Sequence, residues 1–138
     1  MYLFELSDNF GGQIKLPYST GLIWSYCLQN KTIKDNYDLK GWFYKRESAE
    51  NILKRIDNPD IIALSNFVWN TQLNHKLAKE IKKRYPKCKV IFGGLGNPNK
   101  NRLDNFFEEY DYIDMIVNGE GELTFENILI ESLKDKPN

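Results

Sequence analysis

The length, composition and charge of the sequence are those of one globular domain. A chain of 138 residues can bury a core without disulfides or a metal, and 41% hydrophobic and 28% charged residues exclude a disordered or fibrous protein. Lys plus Arg and Asp plus Glu each number 19, so the formal net charge is zero, without the basic excess typical of nucleic-acid-binding proteins. We therefore expect no nucleic-acid partner.

The cysteines and the N-terminal sequence bear on the cellular compartment. Cys27 and Cys88 lie far apart without a CxxC spacing, which indicates buried thiols rather than a metal or redox site. The chain starts with an apolar, strand-like run instead of a signal peptide, and no apolar stretch approaches the roughly 20 residues that span a membrane. These features predict a cytoplasmic protein with no membrane partner.

The first half of the chain alternates between strand and helix patterns. Residues 2–6 form a short apolar run that ends in turn-forming residues. Pro17 suits the first turn of a helix, and a second strand fits residues 39–44. Ser48 is a candidate N-cap for a short helix. The first helix is marked by apolar residues at helical spacing, namely Leu22, Ile23, Tyr26 and Cys27.

The second half repeats the alternation with clearer signals. Residues 61–64 form a continuous apolar run, which is typical of a strand buried on both faces of a parallel sheet. Further strands are predicted over 90–92 and 112–117, each followed by a helical pattern. A long helix that ends before Pro86 is marked by a four-residue spacing of Trp69, Leu73, Leu77, Ile81 and Tyr85.

Five strand-then-helix units with short connections predict an α/β protein with a flavodoxin-like, Rossmann-type fold. This fold is a doubly wound, five-stranded, mainly parallel sheet with helices on both faces. Residues 1–138 are interpreted as a single domain, and the polar residues 134–138 as a terminal tail or a linker to a domain outside this chain.

Ligands of such sheets bind at the carboxyl ends of the strands, near the point where the strand order reverses. The loops that meet there are residues 7–15, 65–70, 93–99 and 118–122. The loop after the third strand offers a hydroxyl, amides and aromatic rings within a short span: Ser65, Asn66, Phe67, Val68, Trp69 and Asn70. In a purely structural interpretation, Asn70 or Thr71 caps the next helix while Phe67 and Trp69 fill the core.

Glycines and acidic residues dominate the other two candidate loops. Gly93 and Gly94 would let the backbone approach a bulky ligand, although their spacing alone favours an ordinary glycine turn. Gly119 and Glu120 lie in the loop before the last helix, where Glu122 is favoured by the helix dipole.

The sequence lacks the motifs of several common enzyme classes. It contains neither the GxGxxG nor the GxxxxGK[ST] phosphate-binding pattern. The lone histidine, His75, lies off the apolar stripe of its helix and is predicted to be a surface residue. With one histidine, neither a Ser-His-Asp triad nor a histidine-based metal site can form. We therefore expect no catalytic residue and no metal ligand in this chain.

Four segments, residues 16–21, 62–70, 90–94 and 112–125, together form a recognisable pattern. The most specific is the last, a strand followed by Gly119-Glu120-Gly121-Glu122 and then Phe125 at helical register. This pattern resembles the cobalamin-binding domain that precedes the radical SAM barrel in B12-dependent radical SAM proteins, and it covers nearly the whole chain.

The resemblance implies roles for the candidate loops. The nucleotide tail of cobalamin would pass between the sheet and its helices, with Ser65 as a hydrogen-bond donor. Gly93 and Gly94 would admit the tail closely, and residues 66–70 would lie under the corrin or along the tail. Gly119 and Glu120 would close the far side, with the rest of residues 119–122.

Two departures from the wider family pattern limit the chemistry that the resemblance implies. In the place of Asp-x-His-x-x-Gly, the motif that supplies the lower cobalt ligand, Phe10 replaces the His and Gln13 the Gly. Cobalamin would therefore bind without a lower histidine. The CxxxCxxC that ligates the iron–sulfur cluster is missing, so the cluster and S-adenosylmethionine would belong to a radical SAM barrel partner in cis or in trans.

Three functional hypotheses follow. The leading one is a cobalamin-binding module of a B12-dependent radical SAM protein, non-catalytic by itself, whether a domain, a truncated member or a stand-alone protein. The second is a degenerate domain that acts as a protein-interaction scaffold, its pocket filled by Phe67, Trp69 and Phe10. The third is a flavodoxin-like enzyme domain that binds a different small molecule.

Overall fold

The computed structural model describes residues 1–134, and within them the chain alternates strands and helices around one sheet. The strands are β1 (Tyr2–Phe4), β2 (Gly41–Phe43), β3 (Ile61–Ser65), β4 (Lys89–Gly93) and β5 (Met115–Val117). The helices are α1 (Tyr18–Cys27), α2 (Lys31–Asn36), α3 (Ala49–Leu53), α4 (Thr71–Arg84), α5 (Leu103–Glu109) and α6 (Glu122–Lys134). Short 3₁₀ turns occupy Phe10–Gly12 and Lys100–Arg102.

The five strands form one sheet in the order β2-β1-β3-β4-β5, and every neighbouring pair is parallel. This order reverses direction between β1 and β3, which is the arrangement of flavodoxin-like proteins. The predicted fold class is therefore confirmed. The predicted tail lies mostly outside the described residues, because the structure describes the chain only to residue 134.

The sheet separates two apolar layers. Alternate residues of β3 point to opposite faces, so Ile62 and Leu64 pack on the side of α3, α4 and α5, while Ile61 and Ala63 face α1, α2 and α6. Cys88 is buried in the first layer and Cys27 in the second, both as free thiols, which confirms that interpretation. Burial raises the pKa of each thiol to about 12, so both stay protonated and unreactive near neutral pH.

Helix α2 was not predicted from the sequence. Its N-cap is Asn30, whose side chain accepts a hydrogen bond from the Thr32 backbone N–H at 3.0 Å. Ile33 is the single buried residue of this short helix, so no repeated apolar spacing marks it. The predicted cap at Ser48 is confirmed, because its hydroxyl accepts from the Asn51 N–H at 3.3 Å.

The position predicted for His75 was wrong. Its ring is half-buried on the face of the sheet that α4 and α5 cover, with centroids 4.5 Å from Tyr110 and 5.1 Å from Phe92. Nδ1 lies 2.8 Å from the Tyr112 hydroxyl. The apolar stripe of α4 did not reveal this site, because aromatic residues from α5 and the segment before β5 surround the ring.

Within residues 1–134 no helix combines the length and the apolar character needed to cross a membrane.

Candidate functional site

A cavity of about 300 Å³ lies between the carboxyl half of the sheet and helices α1 and α6. Its position follows from the strand order, since the loops after β1 and β3 leave the sheet on opposite sides and open a space between them. Two rows of residues across the sheet form its floor. The inner row pairs Leu3 with Ala63 and Ala63 with Ile91, and the outer row pairs Ser65 with Gly93 and Gly93 with Val117.

Helices α1 and α6 supply the opposite wall of the cavity through Ile23 and Phe125. A Cβ at Gly121 would lie 2.8 Å from the Ile23 Cδ1, so glycine at this position lets α1 approach the start of α6. The sequence patterns placed Ile23 and Phe125 on helices without showing that they line a cavity. Only the packing of the two helices reveals that role.

The first turn of α1 is held by an acidic side chain that the sequence patterns did not single out. The Glu5 carboxylate accepts hydrogen bonds from the backbone N–H of Thr20 at 2.8 Å and from its hydroxyl at 2.7 Å. A carboxylate at this place satisfies helix-terminal N–H groups and interacts favourably with the helix dipole. Strand alternation, which places residue 5 on the same face as Leu3, was the available signal.

Six of the predicted site residues line the cavity: Ser65, Phe67, Gly93, Gly94, Gly119 and Glu120. Ser65 is 8% exposed, and its hydroxyl makes no hydrogen bond to another residue in the described part of the chain. A Cβ added to Gly93 or Gly119 would meet no atom within 4 Å. The carboxyl edge of the sheet therefore offers a free hydroxyl beside two open glycine positions.

Gly94 differs from Gly93 because the backbone of Asn66 occupies the space next to it. Its φ is +95°, and a Cβ there would lie 2.7 Å from the Asn66 carbonyl oxygen. The Asn66 N–H donates to the Gly93 carbonyl at 2.6 Å, and the Gly96 N–H donates to the Asn66 carbonyl at 2.8 Å. Gly94 and Gly96 thus let the loops after β3 and β4 interlock.

Asn66 and Asn70 are each 1% exposed and do not line the cavity. The Asn70 side chain accepts from the Phe67 N–H at 2.8 Å and donates to the carbonyls of Leu6 and Ser65, both at 3.0 Å. It sits at the N-cap position of α4 but caps no backbone N–H of the helix, and its Oδ1 accepts from the Asn74 side chain at 3.1 Å. Its side chain instead fixes the loop after β3 against the end of β1.

Val68 and Trp69 lie on the outside of the same loop. Val68 is 83% exposed and Trp69 is 40% exposed, with the Trp69 ring stacked on Phe67 at a centroid distance of 4.7 Å. Phe10, in the loop after β1, is 79% exposed. The expectation that Phe67, Trp69 and Phe10 fill the pocket was therefore wrong for Trp69 and Phe10, because only Phe67 lines the cavity.

The ionisable groups near the cavity do not form a metal site. Among residues 1–134 no group of three or more His, Cys, Asp or Glu side chains could hold a metal ion. His75, on α4, packs against Phe92 of β4 and Phe106 of α5, on the face of the sheet away from the cavity. Asp8, at the start of the loop after β1, is paired with Lys15 at 2.6 Å, and this hydrogen bond lowers the pKa of the Asp8 carboxyl.

The sheet order is that of a flavodoxin-like domain, and the cavity lies at the edge of the sheet where proteins of this fold bind ligands. No protein-family model matches the sequence. The chain is 37% identical over 122 residues to the cobalamin-dependent radical SAM methyltransferase TokK of Streptomyces tokunonensis. It is 35% identical over 122 residues to the 2-(S-pantetheinyl)-carbapenam-3-carboxylate methyltransferase of Streptantibioticus cattleyicolor.

Each match covers 88% of the chain and 18% of the relative, so the chain spans about a fifth of the length of these relatives. The chain is thus homologous to a domain-sized part of cobalamin-dependent radical SAM methyltransferases, and the resemblance seen in its motifs is confirmed.

Proposed function

We propose that this chain is a cobalamin-binding module of a B12-dependent radical SAM protein and contributes no catalytic residue of its own. What supports the proposal is an apolar cavity in the position where flavodoxin-like domains bind ligands, in a chain homologous to cobalamin-dependent enzymes. The corrin would lie outside the carboxyl edge of the sheet, and the nucleotide tail would enter the cavity.

The residues that line the cavity fit such a tail. The Ser65 hydroxyl would donate a hydrogen bond to the tail, and the open space at Gly93 would admit it. Gly94 would act by holding the adjacent loops together. Gly119 and Glu120 would close the far side of the cavity.

The exposed part of the loop after β3 would contact the corrin. The stacked rings of Phe67 and Trp69, together with Val68, would lie under the corrin or along the tail. Asn66 and Asn70 would support this loop from within, because both are buried in its hydrogen-bond network.

The chain would leave cobalt without a lower histidine ligand. Phe10 replaces the motif histidine, and its side chain is exposed rather than packed into the site. His75 is separated from the cavity by the sheet. When bound, cobalamin would supply a cobalt centre suited to transfer of a one-carbon group, the reaction class named for the relatives.

A radical SAM barrel would complete the site. In the relatives the matched segment is 18% of the length, so the remainder has room for a further domain. We propose that such a domain, in cis or in trans, carries the iron–sulfur cluster and S-adenosylmethionine and covers the corrin.

The scaffold hypothesis remains as the alternative, on the evidence of exposed apolar side chains at the same edge of the sheet. Phe10, Val68 and Leu95 are 79%, 83% and 92% exposed. A surface of this kind suits a protein partner as well as a corrin.

Retention of cobalamin by the purified chain distinguishes the two functions. The chain is incubated with hydroxocobalamin or methylcobalamin, desalted, and examined by visible spectroscopy. We expect retained corrin absorbance in the base-off form. Absence of retention at high micromolar cobalamin would favour the scaffold.

The variant Gly93→Val tests whether cobalamin is retained in the cavity. Its side chain would occupy the open space at Gly93 without displacing described atoms near the Cβ, so the fold should persist while retention is lost. The control is Gln72→Val, an exposed position on α4 across the sheet, which should retain cobalamin like the unmodified chain. Equal retention by all three proteins would place the ligand elsewhere.

A further inference from the structure

The cavity changes in polarity from its mouth to its inner end. The inner row of the floor consists of Leu3, Ala63 and Ile91, and the facing wall contributes Ile23 and Phe125. None of these side chains carries a hydrogen-bonding group. The polar side chains that line the cavity come instead from the ends of strands, the first turn of α1 and the residues that precede or open α6: Tyr18, Ser19, Thr20, Ser65, Glu120 and Glu122.

The backbone supplies no free hydrogen-bonding group at the inner end of the cavity. Leu3, Ala63 and Ile91 belong to β1, β3 and β4, which are interior strands with neighbours on both sides. Their peptide N–H and C=O groups therefore point along the sheet into the hydrogen-bond ladder rather than into the cavity.

Of the polar side chains that line the cavity from α1, Thr20 is already engaged in hydrogen bonds. The Thr20 hydroxyl donates to the Glu5 carboxylate at 2.7 Å and accepts from the Trp42 indole N–H at 3.0 Å. A ligand group at the inner end would thus find no free donor from Thr20, whose hydroxyl hydrogen and one of whose two lone pairs are already used. The Ser65 hydroxyl lies one row further out, toward the mouth of the cavity.

From this gradient we infer that the cavity selects among cobamides by their lower base. It admits an apolar benzimidazole and discriminates against a purine such as adenine. The inference rests on the proposed function, in which the nucleotide tail enters the cavity. An adenine would bury an exocyclic amine and several ring nitrogens against side chains that cannot pair with them, whereas dimethylbenzimidazole has one free ring nitrogen and otherwise presents methyl groups and an aromatic ring.

Spectral titration of the unmodified chain with three corrinoids tests the inference. The ligands are cobalamin, a cobamide with adenine as its lower base, and cobinamide, which has no nucleotide. Each dissociation constant is corrected for the base-off fraction of the free corrinoid, measured by acid titration. We expect cobalamin to bind more tightly than the adenine cobamide by roughly tenfold or more, which is the order of affinity lost with an unpaired buried polar group.

The possible failures are distinguishable. Equal affinity for cobalamin and the adenine cobamide would overturn base selection but leave cobalamin binding intact. Cobinamide binding as tight as cobalamin binding would show that the tail does not use the cavity, which also overturns the inference. Failure of cobalamin to bind would overturn the proposed function and the inference with it.

A matched pair of variants at Ala63 tests whether the lower base of the cobamide lies at the inner row of the cavity floor. Ala63→Ser adds a hydroxyl to the inner row and should narrow the preference for cobalamin over the adenine cobamide severalfold. Ala63→Cys adds a group of similar size that is a much weaker hydrogen-bonding partner, and should keep the preference. Thermal unfolding of both variants verifies that they fold, and an unchanged preference in a folded Ala63→Ser protein would contradict placement of the base at the inner row.

Discussion

Gly93 and Gly94 are adjacent in sequence at the end of β4, yet their missing side chains matter for different reasons. At Gly93 a Cβ would meet open space in the cavity, so this glycine leaves room for a ligand. At Gly94 the backbone has a positive φ and the Asn66 carbonyl occupies the space, so this glycine permits the fold. The sequence predicted a shared role, and only the geometry separates the two.

Substitution at Gly94 should therefore reduce stability. We expect Gly94→Ala to lower the free energy of unfolding by at least about 1–3 kcal/mol, the cost of holding a non-glycine residue in the left-handed region, with the contact to Asn66 adding to it. Urea unfolding measures the loss. Gly93→Ala is the control and should unfold closer to the unmodified chain; an equal loss in both variants would contradict the difference between them.

His75 has a titratable group inside an aromatic cluster. Burial lowers the pKa of the imidazole below its usual 6.5, although the Glu109 carboxylate partly opposes this shift. Burial raises the pKa of the Tyr112 phenol to about 12, so this phenol keeps its proton, and in the Nε2–H tautomer of a neutral His75 it donates to Nδ1. Protonation of the ring would remove that acceptor.

The stability of the domain should consequently depend on pH through His75. Because the folded-state pKa lies below 6.5, the unfolded chain binds the proton first as the pH falls, and the free energy of unfolding decreases below about pH 6.5. The thermal midpoint of the unmodified chain should fall between pH 7 and 5.5 by more than that of His75→Phe. If the thermal midpoints of the two proteins changed with pH in parallel, the pH dependence could not be assigned to His75.

At the scale of elements, the strands and long helices could be predicted because repeated apolar spacing marks them. The boundaries of α4 illustrate the limit. The apolar stripe includes Trp69, but the helix begins at Thr71, because residues 66–70 form a loop held by side-chain amides. Local spacing does not report such a network, which depends on contacts with β1, β3 and the end of β4.

Asn74 anchors that loop from the first turns of α4. It is fully buried, and its Nδ2 lies 3.1 Å from the Ser65 carbonyl and 3.3 Å from the Asn66 Oδ1. Replacement by leucine, which has a similar size, would remove this donor and leave buried acceptors less well paired.

We expect Asn74→Leu to lower the free energy of unfolding by about 1–3 kcal/mol and to weaken cobalamin retention, because the loop from Ser65 to Asn70 loses support. Denaturant unfolding and the desalting assay measure the two effects. Gln72→Leu, at an exposed position of the same helix, should change the free energy of unfolding by less than about 0.5 kcal/mol. A comparable loss of unfolding free energy in Asn74→Leu and Gln72→Leu would contradict the supporting role of the amide network.

At the scale of the whole molecule, the sequence predicted the topology of the sheet more completely than it predicted the candidate site. Continuous apolar runs at 61–64 and 90–92 indicated a parallel sheet, and parallel topology brings Ser65, Gly93 and Gly119 to one edge. The wall of the cavity that α1 and α6 form could not be predicted, because it depends on how Ile23 of α1 packs against Gly121. His75 was misplaced for the same reason, since its neighbours come from distant segments.

The central claim is that cobalamin binds this chain with its tail between the sheet and helices α1 and α6. Two-dimensional ¹H–¹⁵N NMR of the 16.2 kDa chain during titration with hydroxocobalamin, which is diamagnetic, tests it most directly. The account predicts that shift changes concentrate at the backbone amides of Ala63, Gly93 and Gly119, while His75 and the opposite face change little. Unchanged spectra at saturating hydroxocobalamin, or changes confined to the face covered by α4 and α5, would contradict it.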